Sequence, residues 1–346
     1  MQKVCIVGAN GYSGVELIRL INQHPFLSLE LIVSHSNSGK VITDLYPHLS
    51  EIVEENLEVF DTNEIAEKVD IVFFATPAGV SMDYLPALVE LGIKCVDLSG
   101  DFRLRSSQLY KDWYKKIHTN ESYLQQSTYG LTEVNKEQIK NASFIANPGC
   151  YATAGLLGLI PMMHTGLINY ESIIIDGKSG VSGAGRNPSI SSHFAEVNEN
   201  VKAYKLGAHQ HIPEIEQILL DHCEIPIKLT FSTHLIPMTR GILCTIYVDL
   251  IKKISTNEIL DIYRSFYKNA PFVRLRQEGT WPSTKEVLGS NFCDLGFFVD
   301  ERTNRLTIIS VIDNVMKGAS GQAIQNVNIL NGWEETTGLS FTPVYP

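Results

Sequence analysis

A chain of 346 residues is longer than one hydrophobic core usually serves, so two domains are expected. Its 44% hydrophobic and 19% charged residues describe an ordinary globular protein, neither disordered nor fibrous. A net charge of −10 argues against a general nucleic-acid or anionic-membrane binder, although a few local arginines suffice to hold a small anion.

No apolar run approaches the roughly 18 residues that mark a membrane span. The opening MQKVCIVGANGYSG lacks the basic, apolar and small-residue regions of a signal peptide and enters a strand almost at once. Cys5, Cys95, Cys150, Cys223, Cys244 and Cys293 stand singly, with no CxxC pair. That is neither a disulfide framework nor a zinc pattern, so a reducing cytoplasm and a metal-free protein are expected.

In chain order, VCIVG (4–8) is a short apolar strand broken by glycine, and 14–23 carries Val15, Leu17, Ile18 and Ile21 at helical spacing. LELIVSHS (29–36) is a second strand before a Gly/Ser/Asn turn. DIVFFATP (70–77) and KCVDLSG (94–100) are strands separated by a helical stretch at 80–91, and SFIANPG (143–149) is another strand. This alternation predicts an α/β, Rossmann-like, doubly wound parallel sheet. Beyond Cys150 the runs ESIIIDGKSG, IKLTFSTHLIPMTRGILCTIYVDL and LTIISVIDN are longer and β-rich, which suits an α+β domain on a mixed or antiparallel sheet. A final helical pattern at 318–333 is expected to pack back on the first domain. Residues 1–149 with 318–346 thus form the expected dinucleotide domain, and 150–317 the substrate and oligomerisation domain.

Gly8, Gly11 and Gly14 read GxxGxxG between the first strand and a helix, the setting in which a glycine turn and a helix N-terminus receive a pyrophosphate. Asn10, Tyr12 and Ser13 belong to the same loop. The second strand ends on Ser34, Ser36 and Lys40 with no carboxylate among residues 34–40, which favours NADP over NAD because an acidic residue there would repel a 2′-phosphate.

Cys150 is unlike Cys5, Cys95 and Cys244, which lie in apolar strands where cysteine serves as a small hydrophobe. A turn, Asn-Pro-Gly, delivers it to the start of an apolar helix, where the free N–H groups and the helix dipole favour a thiolate. A thiolate beside a nicotinamide site suggests acyl chemistry, which needs a neighbouring acid/base. His209 and His211 in GAHQHIPEI are candidates, two residues apart and on one face of an extended loop just before a helix. Arg103 follows a strand end in SGDFRL, Arg186 sits in the Gly/Ser loop KSGVSGAGRNP, and Arg240 joins two strands. Each offers a guanidinium to an anionic substrate, and the loop's backbone N–H groups are expected to wrap the same anion.

Together, GANGYSG, ATPAGVS (75–81), DLSGDFRL (97–104), NPGCYAT (147–153), SGVSGAGR (179–186), HQHIPEI (209–215), HLIPMTRGIL (234–243) and GASGQAIQN resemble the N-acetyl-gamma-glutamyl-phosphate reductase family, in order from residue 4 to about 333. That family is related to aspartate-semialdehyde dehydrogenase and shares the fold plan of glyceraldehyde-3-phosphate dehydrogenase. The resemblance implies NADPH-dependent reduction of N-acetyl-glutamyl phosphate to the semialdehyde in arginine biosynthesis, by a homo-oligomer (a dimer or tetramer). Cys150 would be the nucleophile and His211, ahead of His209, the acid/base. Thr76, Pro77, Ser179, Gly180, Asn314 and Lys317 would join the glycine loop around the cofactor. Arg103, Asn147, Ser182, Gly183, Ala184 and Arg186 would hold the substrate. Where the family shows Ser-Arg after the second strand, this chain has Ser34-His35, and Gln210 replaces the arginine of His-Arg-His. The alternatives are a related acyl-phosphate reductase acting on another acyl phosphate, and a catalytically silent NADP-binding protein.

Overall fold

The structure, a computed structural model, describes residues 1–223 and 225–345. It divides into two compact units. The first comprises Met1–Pro148 with Ala319–Ser340, and the second Gly149–Gly318 together with the segment from Phe341 onward. The crossings fall one residue from the expected boundaries, and the last segment groups with the second unit.

Seven strands build the sheet of the first unit: β1 (Gln2–Val7), β2 (Leu27–Val33), β3 (Leu57–Glu58), β4 (Ile71–Phe74), β5 (Lys94–Asp97), β6 (Thr128–Tyr129) and β7 (Phe144–Ala146). They lie in the order β3-β2-β1-β4-β5-β7-β6, and every pair is parallel. All four residues of β4, Ile-Val-Phe-Phe, are buried, as expected of a parallel strand covered on both faces. The chain runs from β1 outward to β2 and β3, then returns to β4 on the other side of β1. The strand order therefore reverses between β1 and β4, the place where open sheets of this kind bind ligands beyond their carboxyl ends.

The helix Gly321–Leu330 belongs to this unit, and every residue of it is buried although four are amides. Each amide is matched. Asn326 donates to Gly130 O at 2.8 Å and to Asn147 Oδ1 at 3.0 Å, and its own oxygen accepts from the Thr132 hydroxyl at 2.6 Å. Gln325 donates to Glu133 and Glu335, Gln322 to Gly130 O, and Asn328 Oδ1 meets His24 Nε2 at 2.9 Å. Buried polar groups satisfied in this way fix one arrangement, because a partner's loss would leave its mate without solvent.

The second unit holds β8 (Ile174–Ser179), β9 (Lys202–Tyr204), β10 (Thr230–Leu235), β11 (Ile242–Asp249), β12 (Val273–Leu275), β13 (Cys293–Asp300) and β14 (Arg305–Ile312). They form a mixed sheet in the order β12-β13-β14-β11-β8-β10-β9. Alternate residues of β11 are buried, so one face of it is covered. The helix Cys150–Met163 packs against β11 and β14, and all of its residues from Tyr151 to Met163 are buried. Pro161 lies inside this helix and has no N–H for the carbonyl of Leu157. The Tyr267 hydroxyl donates to that carbonyl instead, at 2.6 Å, and Tyr263 serves Gly158 O. Among the described residues no helix is long and apolar enough to cross a membrane.

Candidate active site

The first unit places the glycine loop at the switch between β1 and β4. Gly8 has φ +91°, and a Cβ there would overlap Ala75 O and lie 2.8 Å from Ala75 C; at Gly14 a Cβ would lie 2.6 Å from Ala9 Cα. Neither position admits a side chain, so β1 turns tightly against the end of β4. Gly11 caps the helix Tyr12–Asn22 with no side-chain hydrogen bond, which leaves the first-turn N–H groups of Tyr12, Ser13 and Gly14 without a side-chain cap. Gly8→Ala is expected to lower stability by about 1–3 kcal/mol and to weaken dinucleotide binding at least about tenfold, measured by denaturant unfolding and by fluorescence titration.

Along the carboxyl edge of the same sheet, side-chain oxygens are buried without a hydrogen-bond partner among the described residues. They are Ser34 Oγ after β2, Thr76 Oγ1 after β4 and Asp97 Oδ2 at the end of β5. A row of orphaned acceptors and hydroxyls flanking a glycine turn fits an extended polar ligand, since buried polar groups otherwise find partners within the fold. Asn10 Nδ2 reaches Ser36 Oγ at 3.4 Å, and Tyr46 donates to Asn10 O. Lys40, Pro77 and Tyr12 are exposed. One acidic residue from outside residues 34–40 is neighbour to this strand end: Glu58 of β3 pairs in register with Val33, and its backbone carbonyl accepts Ser34 N–H. A two-residue strand far along the chain gives no sequence signal of this neighbour.

Asp101 organises the loop after β4. Its Oδ1 accepts from Gly79 N–H and the Tyr110 hydroxyl, and its Oδ2 from Ser81 Oγ and Met82 N–H. Arg103 is buried, and its Nε and Nη2 donate to Asn147 O at 2.8 Å and Leu98 O at 2.7 Å. Asn147 is fully buried, spending its amide on Ala319 O and Asn326. Arg103 and Asn147 therefore tie together the ends of β5 and β7 inside the first unit.

In the second unit, Cys150 is the first residue of its helix and the only one not fully buried. Gly149 is the N-cap, and no acidic residue occupies the first turn. Two glycines press on this point. A Cβ at Gly318 would lie 2.8 Å from Cys150 Cβ, and a Cβ at Gly149 would overlap His211 Nε2 and lie 2.6 Å from His211 Cε1. The imidazole of His211 thus rests on the residue before the thiol. Three residues beyond His211, in the helix His211–Cys223, the fully buried Glu214 accepts the Gly149 N–H at 2.8 Å. Neither glycine nor Glu214 was singled out by the sequence, because only a close approach in space reveals them.

The histidines were expected together in a loop. His211 instead opens the helix His211–Cys223, with Pro213 in its first turn, and only His209 precedes it. Proline suits a first turn because that N–H has no partner to lose. The two rings are 4.6 Å apart, and they differ in surroundings. His209 Nδ1 accepts the His211 backbone N–H at 3.1 Å, and its ring is enclosed by Tyr151, Tyr204 and Phe231. Burial, then the neighbouring His211 and Lys205, push its pKa down to about 2, so it stays a neutral acceptor.

The Gly/Ser loop differs from the anion cradle expected of it. The N–H groups of Gly180, Val181 and Ser182 donate to Gly241, Met238 and Thr239 carbonyls, and those of Gly183 and Gly185 to Gly180 and Ser182. The segment Val181–Ala184 folds as a tight 3-10 turn against the β10–β11 connection, which consumes these donors. Gly180 has no room for a side chain, lying under Thr239 O. Asn314 holds the turn in place, donating to Ser182 Oγ and accepting Gly241 N–H, and Ser179 Oγ donates to Gly180 O. Gly183, Ala184 and Arg186 are exposed. Lys317 is fully buried with Nζ 5.8 Å from the Phe272 ring centroid, and Arg240 approaches Asp313 at 3.5 Å. All six cysteines are free thiols.

The two units match two halves of one enzyme class. The family described as "Semialdehyde dehydrogenase, NAD binding domain" matches residues 3–142, and "Semialdehyde dehydrogenase, dimerisation domain" matches residues 150–314. The chain is thus an oxidoreductase of the semialdehyde dehydrogenase class that uses a nicotinamide cofactor. An N-acetyl-gamma-glutamyl-phosphate reductase of Geobacillus stearothermophilus is 52% identical over 100% of both chains, and one of Oceanobacillus iheyensis is 51% identical over 100% of both. The chain belongs to the N-acetyl-gamma-glutamyl-phosphate reductase family. A solved aspartate semialdehyde dehydrogenase II of Vibrio cholerae, 19% identical, superposes with a TM-score of 0.71 over 96% of this chain and 98% of that one, which shows the shared fold.

Proposed function

We propose that this protein reduces N-acetyl-L-glutamyl 5-phosphate to N-acetyl-L-glutamate 5-semialdehyde and phosphate, using NADPH, as a step of arginine biosynthesis. The observation that carries the reading is Cys150 at a helix N-terminus, directly after the glycine on which the His211 ring rests. His211 takes the thiol proton, and the resulting thiolate attacks the acyl carbon. The carbon–oxygen bond to phosphate breaks, phosphate leaves, and a thioester on Cys150 remains. Reduced nicotinamide, when bound, supplies the hydride for the thioester carbon. The oxyanion then receives the proton from His211, giving a thiohemiacetal. Collapse returns that proton to His211 as the carbon–sulfur bond breaks, and the aldehyde departs from a restored thiolate.

Within this scheme His209 positions His211 rather than moving protons, since a group titrating near pH 2 has no proton to give at neutral pH. The exposed guanidinium of Arg186 is the candidate for the substrate's anionic groups, whereas Arg103 and Asn147 brace the strand ends. The preference for NADP is supported by Ser34, Ser36 and Lys40 at the end of β2. A cytoplasmic homo-oligomer is supported by the free thiols and by the match to a dimerisation domain.

Oxidation in the reverse direction tests the assignment. N-acetyl-glutamate semialdehyde, NADP and inorganic phosphate should give phosphate-dependent nicotinamide reduction, with NAD and aspartate semialdehyde as comparisons. Activity with aspartate semialdehyde alone would move the substrate, and faster turnover with NAD would overturn the cofactor preference.

A further inference from the structure

The carboxyl end of β5 carries a group that the proposed reaction does not use. Asp97 closes this strand and is 0% exposed. Its Oδ1 accepts Ser99 N–H at 2.9 Å, while Oδ2 is buried with no hydrogen-bond partner among the described residues. Across the sheet it faces Phe74 of β4 and Ala146 of β7, neither of which titrates. The titratable and charged groups that act on it are Asp101, Arg103, Tyr110 and Cys95, with Tyr114 and His118 behind Tyr110 and Asp101. Asp101 is consumed by the loop after β4, and Arg103 donates to Leu98 O and Asn147 O. Tyr110 donates to Asp101 and stacks on Tyr114, which lies over Gly100, and His118 packs edge-on to Phe102 and Tyr110. Burial, then Asp101, raise the Asp97 pKa to about 6, against the opposing help of Ser99 and Arg103.

A carboxylate oxygen accepts hydrogen bonds and donates none, so in the interior it needs a proton or a donor. Asp97 stands on the edge that also presents Ser34 and Thr76, two strands from the glycine turn, or about 10 Å at ordinary strand spacing. With the pyrophosphate at the glycine turn and the adenosine end at β2, the opposite half of a bound dinucleotide would extend toward β5. That half carries neutral hydroxyl and carboxamide donors. We propose that the ionised Asp97 carboxylate accepts a hydrogen bond from the nicotinamide-riboside half of the cofactor, and so makes cofactor affinity proton-linked. This rests on the cofactor reading above. A donor favours the ionised form, so affinity rises as pH rises through about 6 and is lost as Asp97 protonates below it.

The test is titration calorimetry of the full chain at pH 5 to 8, with NADPH and with adenosine 2′,5′-bisphosphate. The latter carries the 2′-phosphate and its own titration but lacks the nicotinamide half. The dissociation constant of NADPH should fall about tenfold more steeply between pH 5 and pH 7 than that of the bisphosphate. Asp97→Asn should reduce the NADPH slope to that of the bisphosphate. Equal slopes for the two ligands in the unmodified protein would overturn the proposal, even if the variant fails to fold, and so would an unchanged slope in a folded Asp97→Asn. Failure of NADPH to bind at any pH would instead overturn the cofactor reading itself.

Discussion

Cys150→Ser should lower turnover on the order of a thousandfold or more while leaving cofactor affinity unchanged. The proposed acyl acceptor, Cys150, sits where a helix N-terminus stabilises an anion, and a serine hydroxyl, with a pKa far above that of a thiol, gains little from the same field. An imidazole such as that of His211 is base enough to take a proton from a thiol but is a weak base for an alcohol. Stability should barely change, because the substitution is nearly isosteric at the one position of that helix that is not fully buried. Single-turnover mixing with acyl phosphate, without cofactor, gives the direct readout. A burst of phosphate matching the enzyme concentration is expected from the unmodified protein and none from the variant. A burst in both would place the acyl group elsewhere.

Gly149→Ala separates position from chemistry. The added methyl group overlaps the His211 ring, and that ring is hemmed in by Tyr151 and His209, so it must move by about an ångström. Displacements of that size between reacting groups cost about a hundredfold in rate. The thiol itself is untouched, so alkylation of Cys150 by iodoacetamide should persist in the variant, slowed in proportion to the loss of its base. Cofactor affinity should remain, since the glycine loop lies in the other unit. Turnover within twofold of the unmodified protein would show that His211 is not held by this contact. A variant that fails to fold is distinguished by its circular dichroism.

Much of the first unit could be read from local chemistry. β1, β2, β4, β5 and β7 are apolar runs cut by glycine or polar turns, and the parallel sheet follows from their alternation with helices. β3 and β6, two residues each, carry no pattern of their own and exist only because a neighbouring edge was available. β13 was hidden for another reason. Asp294, its second residue, is buried and matched by Arg274 at 2.6 Å and by Arg276, and no local rule places a buried carboxylate in a strand. The helix Thr256–Phe266 went unpredicted despite the capping box of Ser255 and Glu258.

At the site, Cys150 and the glycine loop announced themselves because their physical demands are local: a turn, a helix start, a positive φ. The histidines did not separate in sequence, being two alike residues in one motif. Their difference arises from the cage of Tyr151, Tyr204 and Phe231, drawn from three distant segments. The Gly/Ser loop misled for the same reason. Its free N–H groups were free only until the β10–β11 connection was laid beside them.

The buried amide helix Gly321–Leu330 has a bearing on how the chain reaches its native state. Its partners at His24, Gly130, Thr132, Glu133 and Asn147 leave the ribosome long before it does, and the whole second unit is translated in between. At about 5–20 residues per second the delay is on the order of ten seconds or more. During that interval the parallel sheet has its nucleotide-facing edge but lacks the element that saturates its buried carbonyls and amides. The main segment of the second unit, Gly149–Gly318, is continuous in sequence and can close before the residues from Phe341 onward are added. The turn that carries Cys150 can therefore form before the unit that carries the glycine loop is complete, and nascent chains arrested before residue 319 should show a protease-resistant Gly149–Gly318 segment and a protease-sensitive first unit.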